Sequence, residues 1–251
     1  GLEHALAEGR QSNTIFVDSP GGCGKTYVFN LLLELARSQG KVALAMASSG
    51  IAALLLDGGK TAHSLLKIPL TITADSVCNV KAHDDLAALL RMAELIVWDE
   101  APMMHKHCFE AVDRLLRELM RCDKLFGGKV VVLGGDFRQI LPVVHRGTRA
   151  GIVNSCIKRS YIWGQLRTMR LSINMRVQRL LSEGRDASRL QQFSDRLLAV
   201  GEGRVAVPFQ IPESMCAATQ TPLDLIRTIF GDINDPTACS ASSVTSSALL
   251  T

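Results

Sequence analysis

Apolar residues along this chain fall into short continuous runs separated by longer stretches of helical spacing. Thr14–Asp18 (TIFVD), Val42–Ala47 (VALAMA), Leu95–Asp99 (LIVWD) and Lys129–Leu133 (KVVVL) are each five or six residues long. Consecutive rather than alternating apolar positions predict strands buried on both faces, as in a parallel sheet. Between the first two runs, Thr26–Ser38 sets Val28, Leu31, Leu32 and Leu35 at helical intervals. Cys108–Arg121 does the same with Phe109, Val112, Leu115, Leu116 and Leu119. Shorter helices are predicted at Ile51–Leu56 and Leu86–Met92. After Gly127-Gly128 the pattern weakens. Leu190–Val200 reads as a helix stopped by Gly201 and Gly203, and Pro208, Pro212, Pro222 and Pro236 punctuate the remainder. The Ser-rich end, CSASSVTSSALLT, reads as a flexible tail or the beginning of a further element. Strands alternating with helices predict an α/β fold, with a mainly parallel sheet covered by helices on both faces.

Composition narrows the class. The 251 residues are 47% hydrophobic and 21% charged, too apolar for a disordered chain. No apolar run approaches the ~18 residues of a membrane helix, so no membrane partner is expected. The opening GLEHALAEGR lacks the charged head and apolar stretch of a secretory signal. Seven scattered cysteines without a C-x-x-C pair argue against a disulfide framework and for a reducing interior. Net charge is only +4, but it is unevenly spread. From Phe137 to Ser182 there is no Asp or Glu, while Arg138, Arg146, Arg149, Lys158, Arg159, Arg167, Arg170, Arg176 and Arg179 fall in that stretch. Such a segment faces either solvent or a polyanion.

Candidate chemistry sits where the strands end. TIFVD runs into Ser19-Pro20-Gly21-Gly22-Cys23-Gly24-Lys25-Thr26 and then a helix. This is the G-x-x-x-x-G-K-[ST] phosphate loop with Ser19 in place of the first glycine. The backbone N–H groups of Gly21, Gly22, Cys23 and Gly24 can cradle phosphates, helped by the positive end of the following helix. Lys25 would then reach the β- and γ-phosphates of a bound nucleotide, and Thr26 would ligate Mg²⁺. LIVWDE leaves Asp99 and Glu100 at a strand's carboxyl end, where open parallel sheets bind ligands. Asp99 is the expected partner of Mg²⁺ and Glu100 the expected polariser of attacking water. After Val130–Leu133, Gln139 can hydrogen-bond a γ-phosphate or that water, whereas Asp136 and Arg138 pair locally or act in the site. Arg176 is a candidate for stabilising transition-state charge, undistinguished locally from Arg170 or Arg179. His63 reads as a structural hydrogen-bonder or a DNA contact, and His105-Lys106-His107 as a solvated turn rather than a metal site.

Taken together, SPGGCGKT, ASSGIAALLLDGGKTAHS, IVWDEAPM, LGGDFRQILPVV and LSINMR resemble, in order and spacing, the petite-integration-frequency helicases, superfamily-one DNA helicases that include versions carried by rolling-circle transposons. The resemblance spans about residues 13–230. It implies a RecA-like P-loop ATPase domain over residues 1–200, with a small wedge insertion near 65–85 (centred on Lys67–Val80), and a partial second helicase domain over 201–251. It implies ATP and Mg²⁺ as cofactors, and 5′→3′ movement on single-stranded DNA and at duplex junctions. Lys25, Glu100, Gln139 and Arg176 fall on the catalytic positions, Arg176 on the arginine finger. Ser48, Ser49 and Gly50 fall on one DNA-contacting motif, Thr61 and His63 on the next, and part of the basic segment is expected to join them. Ser, Thr and backbone groups at strand-to-helix turns suit backbone contact without base readout. A nuclear location and roles in telomere maintenance, repair or recombination are also implied. The family's upstream glutamine segment, which recognises adenine, and its complete second RecA-like domain are expected outside this sequence. Two readings stand beside it: an ATP-binding fragment or transposon relic without turnover, and a P-loop kinase with the basic segment as a lid.

Overall fold

The computed structural model describes residues 13–184, 186–205, 211 and 221–230. Six strands form one parallel sheet: β1 (Thr14–Asp18), β2 (Val42–Ala47), β3 (Lys60–Thr61), β4 (Ala93–Asp99), β5 (Val130–Gly135) and β6 (Arg167–Arg170), in the order β3-β2-β4-β5-β1-β6. Both edge strands are short, which limits the unpaired backbone they present.

Each strand feeds two cores by alternation. Phe16, Met46, Ile96, Trp98, Val131 and Leu133 point to one face; Ile15, Val17, Ala43, Ala45, Ala47, Val97 and Val132 point to the other. The second face is covered by α1 (Lys25–Ser38) through Phe29 and Leu33, and by Ala53 of α2 (Gly50–Leu54). The alanines of β2 lack bulk, so α1 can lie close against β2 and β4. The first face is covered by α3 (Ala62–Leu66), α4 (Asp85–Met92) and α5 (Lys106–Met120), with Ile157 and Ile162 from a later pair of turns. Further along the chain come α6 (Arg149–Ser155), α7 (Met175–Ser182) and α8 (Ser188–Gly201). Helices on both faces of a parallel sheet are what the continuous apolar runs predict.

The differences from the predicted elements lie where the local pattern is weak. β5 begins at Val130 and continues through Gly134-Gly135, because Val17 and Asp18 pair with those glycines. Lys129 stays outside the strand; its ammonium is buried and donates to the carbonyls of Arg91 and Ala93 at the end of α4. The α8 helix runs through Gly201 rather than stopping before it. Where the resemblance implies an insertion, Leu65, Leu66 and Asp85 belong to helices α3 and α4 and residues 67–84 connect them. The strands β3 and β6 and the helices α3, α6 and α7 were not among the predicted elements. Two units divide after Glu202. In the second, α9 (Pro222–Phe230) is described. The Ser-rich tail and the first twelve residues lie outside the described residues.

Candidate active site

All six strands deliver their carboxyl ends to one edge, and the candidate residues lie along it. The phosphate loop leaves β1 with Ser19 buried, its N–H donating to the Gly135 carbonyl (3.2 Å) and its hydroxyl to Pro20 O. Serine in place of the usual first glycine is therefore accommodated as an extension of the β1–β5 pairing. Gly22 (φ 84°) and Gly24 (φ 82°) turn the loop with left-handed backbone that other residues avoid. Helix α1 then starts at Lys25 with no acid in its first turn, leaving its positive end unopposed.

Lys25 reaches across to β4. Its ammonium bonds Asp99 Oδ1 and lies 2.9 Å from Glu100 Oε1. The stem passes over β5 because residue 134 is glycine: a Cβ there would stand 3.3 Å from Lys25 Cδ and 2.3 Å from Phe29 Cζ. Asp99 is 3% exposed and also accepts the Glu100 N–H at 2.7 Å. Glu100 adopts a left-handed φ of 52°, which costs about 1–3 kcal/mol in a non-glycine residue. That turn ends the strand and aims the second carboxylate at Lys25.

Lys25, Thr26, Glu100, Gln139, Met175, Arg176 and Arg179 line one cleft of about 410 Å³ with Ser19–Gly24 and Tyr27. Helix α7 is pinned there: the Met175 N–H donates to Gly22 O (2.9 Å), and Asn174 Oδ1 caps the helix by accepting from Arg176 and Val177. The structure thus separates three arginines that the sequence leaves equivalent. Arg170 is drawn to Glu202 (3.1 Å) and Asp18 (3.9 Å), whereas Arg176 and Arg179 line the cleft. Arg179 also pairs with Glu183 at 3.0 Å. Its place one turn from Arg176 was the available signal, and the Asn174 cap was another. Gln139 donates its amide N–H to Asp136 Oδ2 at 3.2 Å.

Arg138 and Asp136 form more than a local pair. The guanidinium grips Asp18 (3.0 and 3.2 Å) and Asp136 (2.7 Å), with Glu202 at 3.4 Å. Burial opposes its charge, but hydrogen bonds and charge from Asp18 and Asp136 prevail and raise its pKa above the ordinary arginine value. One arginine therefore ties the ends of β1 and β5 to the end of α8.

The candidate DNA-contacting residues cluster at the β2 and β3 ends. Ser48 donates both its N–H (3.0 Å) and its hydroxyl (3.3 Å) to the Asp99 carbonyl, and accepts from Trp98 Nε1. Ser49 caps α2 and Thr61 caps α3, each accepting a backbone N–H with its side chain, and Gly50 is exposed. His63 Nδ1 donates to Ile68 O at 3.2 Å. The His105–His107 stretch is not simply a solvated turn: His105 caps α5, and His107 pairs with Glu110 at 2.6 Å.

A phosphate loop and a paired acidic strand end, converging on a parallel sheet with helices on both faces, define a RecA-like P-loop fold. Residues 4–210 match the PIF1-like helicase family, and the chain belongs to that family. It is 31% identical over 140 residues to the ATP-dependent DNA helicase Pif1 of Psychrobacter sp., covering 55% of this chain and 21% of that protein. It is 28% identical over 158 residues to the ATP-dependent DNA helicase RRM3 of Saccharomyces cerevisiae, covering 61% and 21%. Among solved structures, Bacteroides Pif1 in complex with ADP-AlF3 and single-stranded DNA aligns with a TM-score of 0.58 at 28% identity, covering 68% of this chain and 41% of that one. Candida albicans Pif1 shares the fold, with a TM-score of 0.65 at 23% identity over 90% of this chain and 52% of that one. The chain thus spans about a fifth of the length of these curated relatives.

Proposed function

We propose that this chain is the ATP-hydrolysing motor part of a DNA helicase that steps 5′→3′ along single-stranded DNA and opens duplex junctions. The observation that carries the reading is the meeting of Lys25 with Asp99 and Glu100 at the mouth of the phosphate loop. In this reading Gly21–Gly24 offer backbone N–H groups to the phosphates and Lys25 neutralises them. Glu100 takes the proton of the attacking water, Gln139 orients that water or senses the γ-phosphate, and Arg176 offsets the charge that develops on transfer. Thr26 and Asp99 fit a magnesium ion: both offer hard oxygen donors, and the Asp99–Glu100 corner already draws a cation in Lys25. Thr26 and Asp99 would hold magnesium, which would supply positive charge to offset that of the phosphates. Ser48, Ser49, Gly50, Thr61 and His63 would hold the strand's backbone at the neighbouring β2 and β3 ends. We assign residues 1–200 to the motor domain, and 201–251 to the beginning of a second helicase domain. The nuclear location and the telomere, repair and recombination roles that the resemblance implies apply to a eukaryotic bearer of this motor; several relatives are bacterial.

The test is ATP hydrolysis with and without oligo-dT. Stimulation by the oligonucleotide, lost in both Lys25→Ala and Glu100→Gln, is the expected result. Phosphorylation of a small acceptor without response to DNA would replace this reading with a kinase, and nucleotide binding without turnover would leave an inactive fragment.

A further inference from the structure

We infer that the β6 side of the sheet carries a second nucleic-acid surface, one that grips the phosphate backbone of duplex DNA away from the Ser49–Thr61–His63 end. The inference borrows from the proposed function only its DNA substrate. Three observations support it.

The first is the fate of the nine cations between Phe137 and Ser182. Arg138 is held by Asp18 and Asp136, Arg170 pairs with Glu202, and Arg176 and Arg179 line the nucleotide cleft. Arg146, Arg149, Lys158, Arg159 and Arg167 are left, all exposed, and no ion pair among the described residues involves them. A segment without a single acid leaves these charges uncompensated locally, which suits a polyanion.

The second is placement. Arg146 lies just before α6 and Arg149 is its first residue. Lys158 and Arg159 sit on the 3₁₀ turn at Ile157–Arg159, and Arg167 opens β6. Ile157 and Ile162 are fully buried in the core with Phe16, so this segment is a firm support rather than a loose arm. Strand β6 is one edge of the sheet and β3, which carries Thr61, is the other. Five inter-strand steps of about 4.8 Å put the two edges about 24 Å apart. In this proposal the five cations lie apart from the single-strand contacts expected at Ser49, Thr61 and His63.

The third is the scarcity of open aromatic rings beside these cations among the described residues. Single strands are held by bases stacking on open aromatic rings. Here Phe137 and Trp163 pack against each other and Phe16, and the Lys158 ammonium lies 3.9 Å over the Phe137 ring. Tyr161, half exposed, is held through its hydroxyl by Asp113. Five cations around one half-exposed ring favour phosphate contact over base stacking, the contact offered by a duplex whose bases are already stacked.

The experiment measures binding of the full chain to a blunt duplex and to oligo-dT across a salt series, for the native protein and a variant combining Arg146→Ala, Arg149→Ala, Arg159→Ala and Arg167→Ala. The slope of log affinity against log salt for the duplex should fall by about 3–4, near one per phosphate contact removed. Oligo-dT affinity and basal ATP hydrolysis should stay within about twofold. Lys25→Ala should lose hydrolysis yet keep its duplex affinity, which separates failure of this proposal from failure of the motor reading. An unchanged duplex slope, no duplex binding by the native chain, or a parallel loss for oligo-dT would each overturn the second surface.

Discussion

Replacing Gly134 by alanine sets two effects of opposite sign against each other. Alanine costs the unfolded chain less freedom, which alone would stabilise the protein by about 0.4–1 kcal/mol. The new methyl, however, would lie 2.3 Å from Phe29 Cζ and 2.8 Å from Cε2. Carbon atoms settle at about 3.5–4.0 Å, so the overlap exceeds about 1 Å. Phe29 is fully buried between α1 and the sheet, and its rigid ring has no empty space to enter. Overpacking of this kind costs about 1–3 kcal/mol. The net expectation is a loss of about 1–2 kcal/mol, or a melting temperature lower by about 2–8 °C for a unit of this size. The methyl also meets Lys25 Cδ at 3.3 Å, so nucleotide affinity should fall together with stability. Thermal melts and nucleotide titrations of Gly134→Ala, Phe29→Leu and the double variant provide the assay. In the double variant the smaller side chain should absorb the methyl and give a favourable coupling of about 1 kcal/mol or more. A higher melting temperature for Gly134→Ala, or additivity in the cycle, would refute the steric argument.

Other expectations follow from the buried polar groups. Asp113 is fully buried and accepts from Phe126 N–H (2.6 Å) and Tyr161 OH (2.7 Å), with Arg117 at 2.8 Å. Asp113→Ala should therefore lose about 1–3 kcal/mol in urea unfolding, because it leaves the buried Phe126 N–H without an acceptor. Tyr161→Phe removes one hydrogen bond and should lose only about 1 kcal/mol. Burial pushes the Glu110 carboxyl up, but hydrogen bonds from His107 and Ser160 outweigh it and leave the pKa below its ordinary 4.5. The unfolded state then binds the proton more readily, so this stabilisation is complete above pH 4.5 and fades as pH falls through the lower folded value. Unfolding curves for Glu110→Gln on either side of that pH should converge with the native curves in acid. Arg138→Lys cannot reproduce the fork to Asp18 and Asp136 and should cost about 1.5–3 kcal/mol despite keeping the charge, as read by thermal melts.

The sequence displays the strands whose neighbours lie on both sides, because burial on two faces writes an unbroken apolar run. It does not display β3 or β6, which have one neighbour each and carry the polar residues Lys60, Thr61, Arg167 and Thr168. The phosphate loop and the Asp99-Glu100 pair were legible since each is a local string with a fixed chemical task. No local string shows their meeting; the sheet order supplies it by setting β4 and β1 on either side of β5. The grip of Arg138 on Asp18 spans 120 residues of chain and leaves no local trace. Likewise, the helix-capping roles of Ser49 and Thr61 depend on where each helix begins, which the apolar pattern fixes only loosely.

Ser48 and Asp99 belong to neighbouring strand ends, yet they share one carbonyl oxygen. A tug on the turn after β2 must either break two hydrogen bonds to that oxygen or drag the Asp99 peptide along. The path from the turn after β2 to the acidic corner beside Lys25 is thus a single peptide unit long. A displacement of one strand end reaches the other without any lever arm between them.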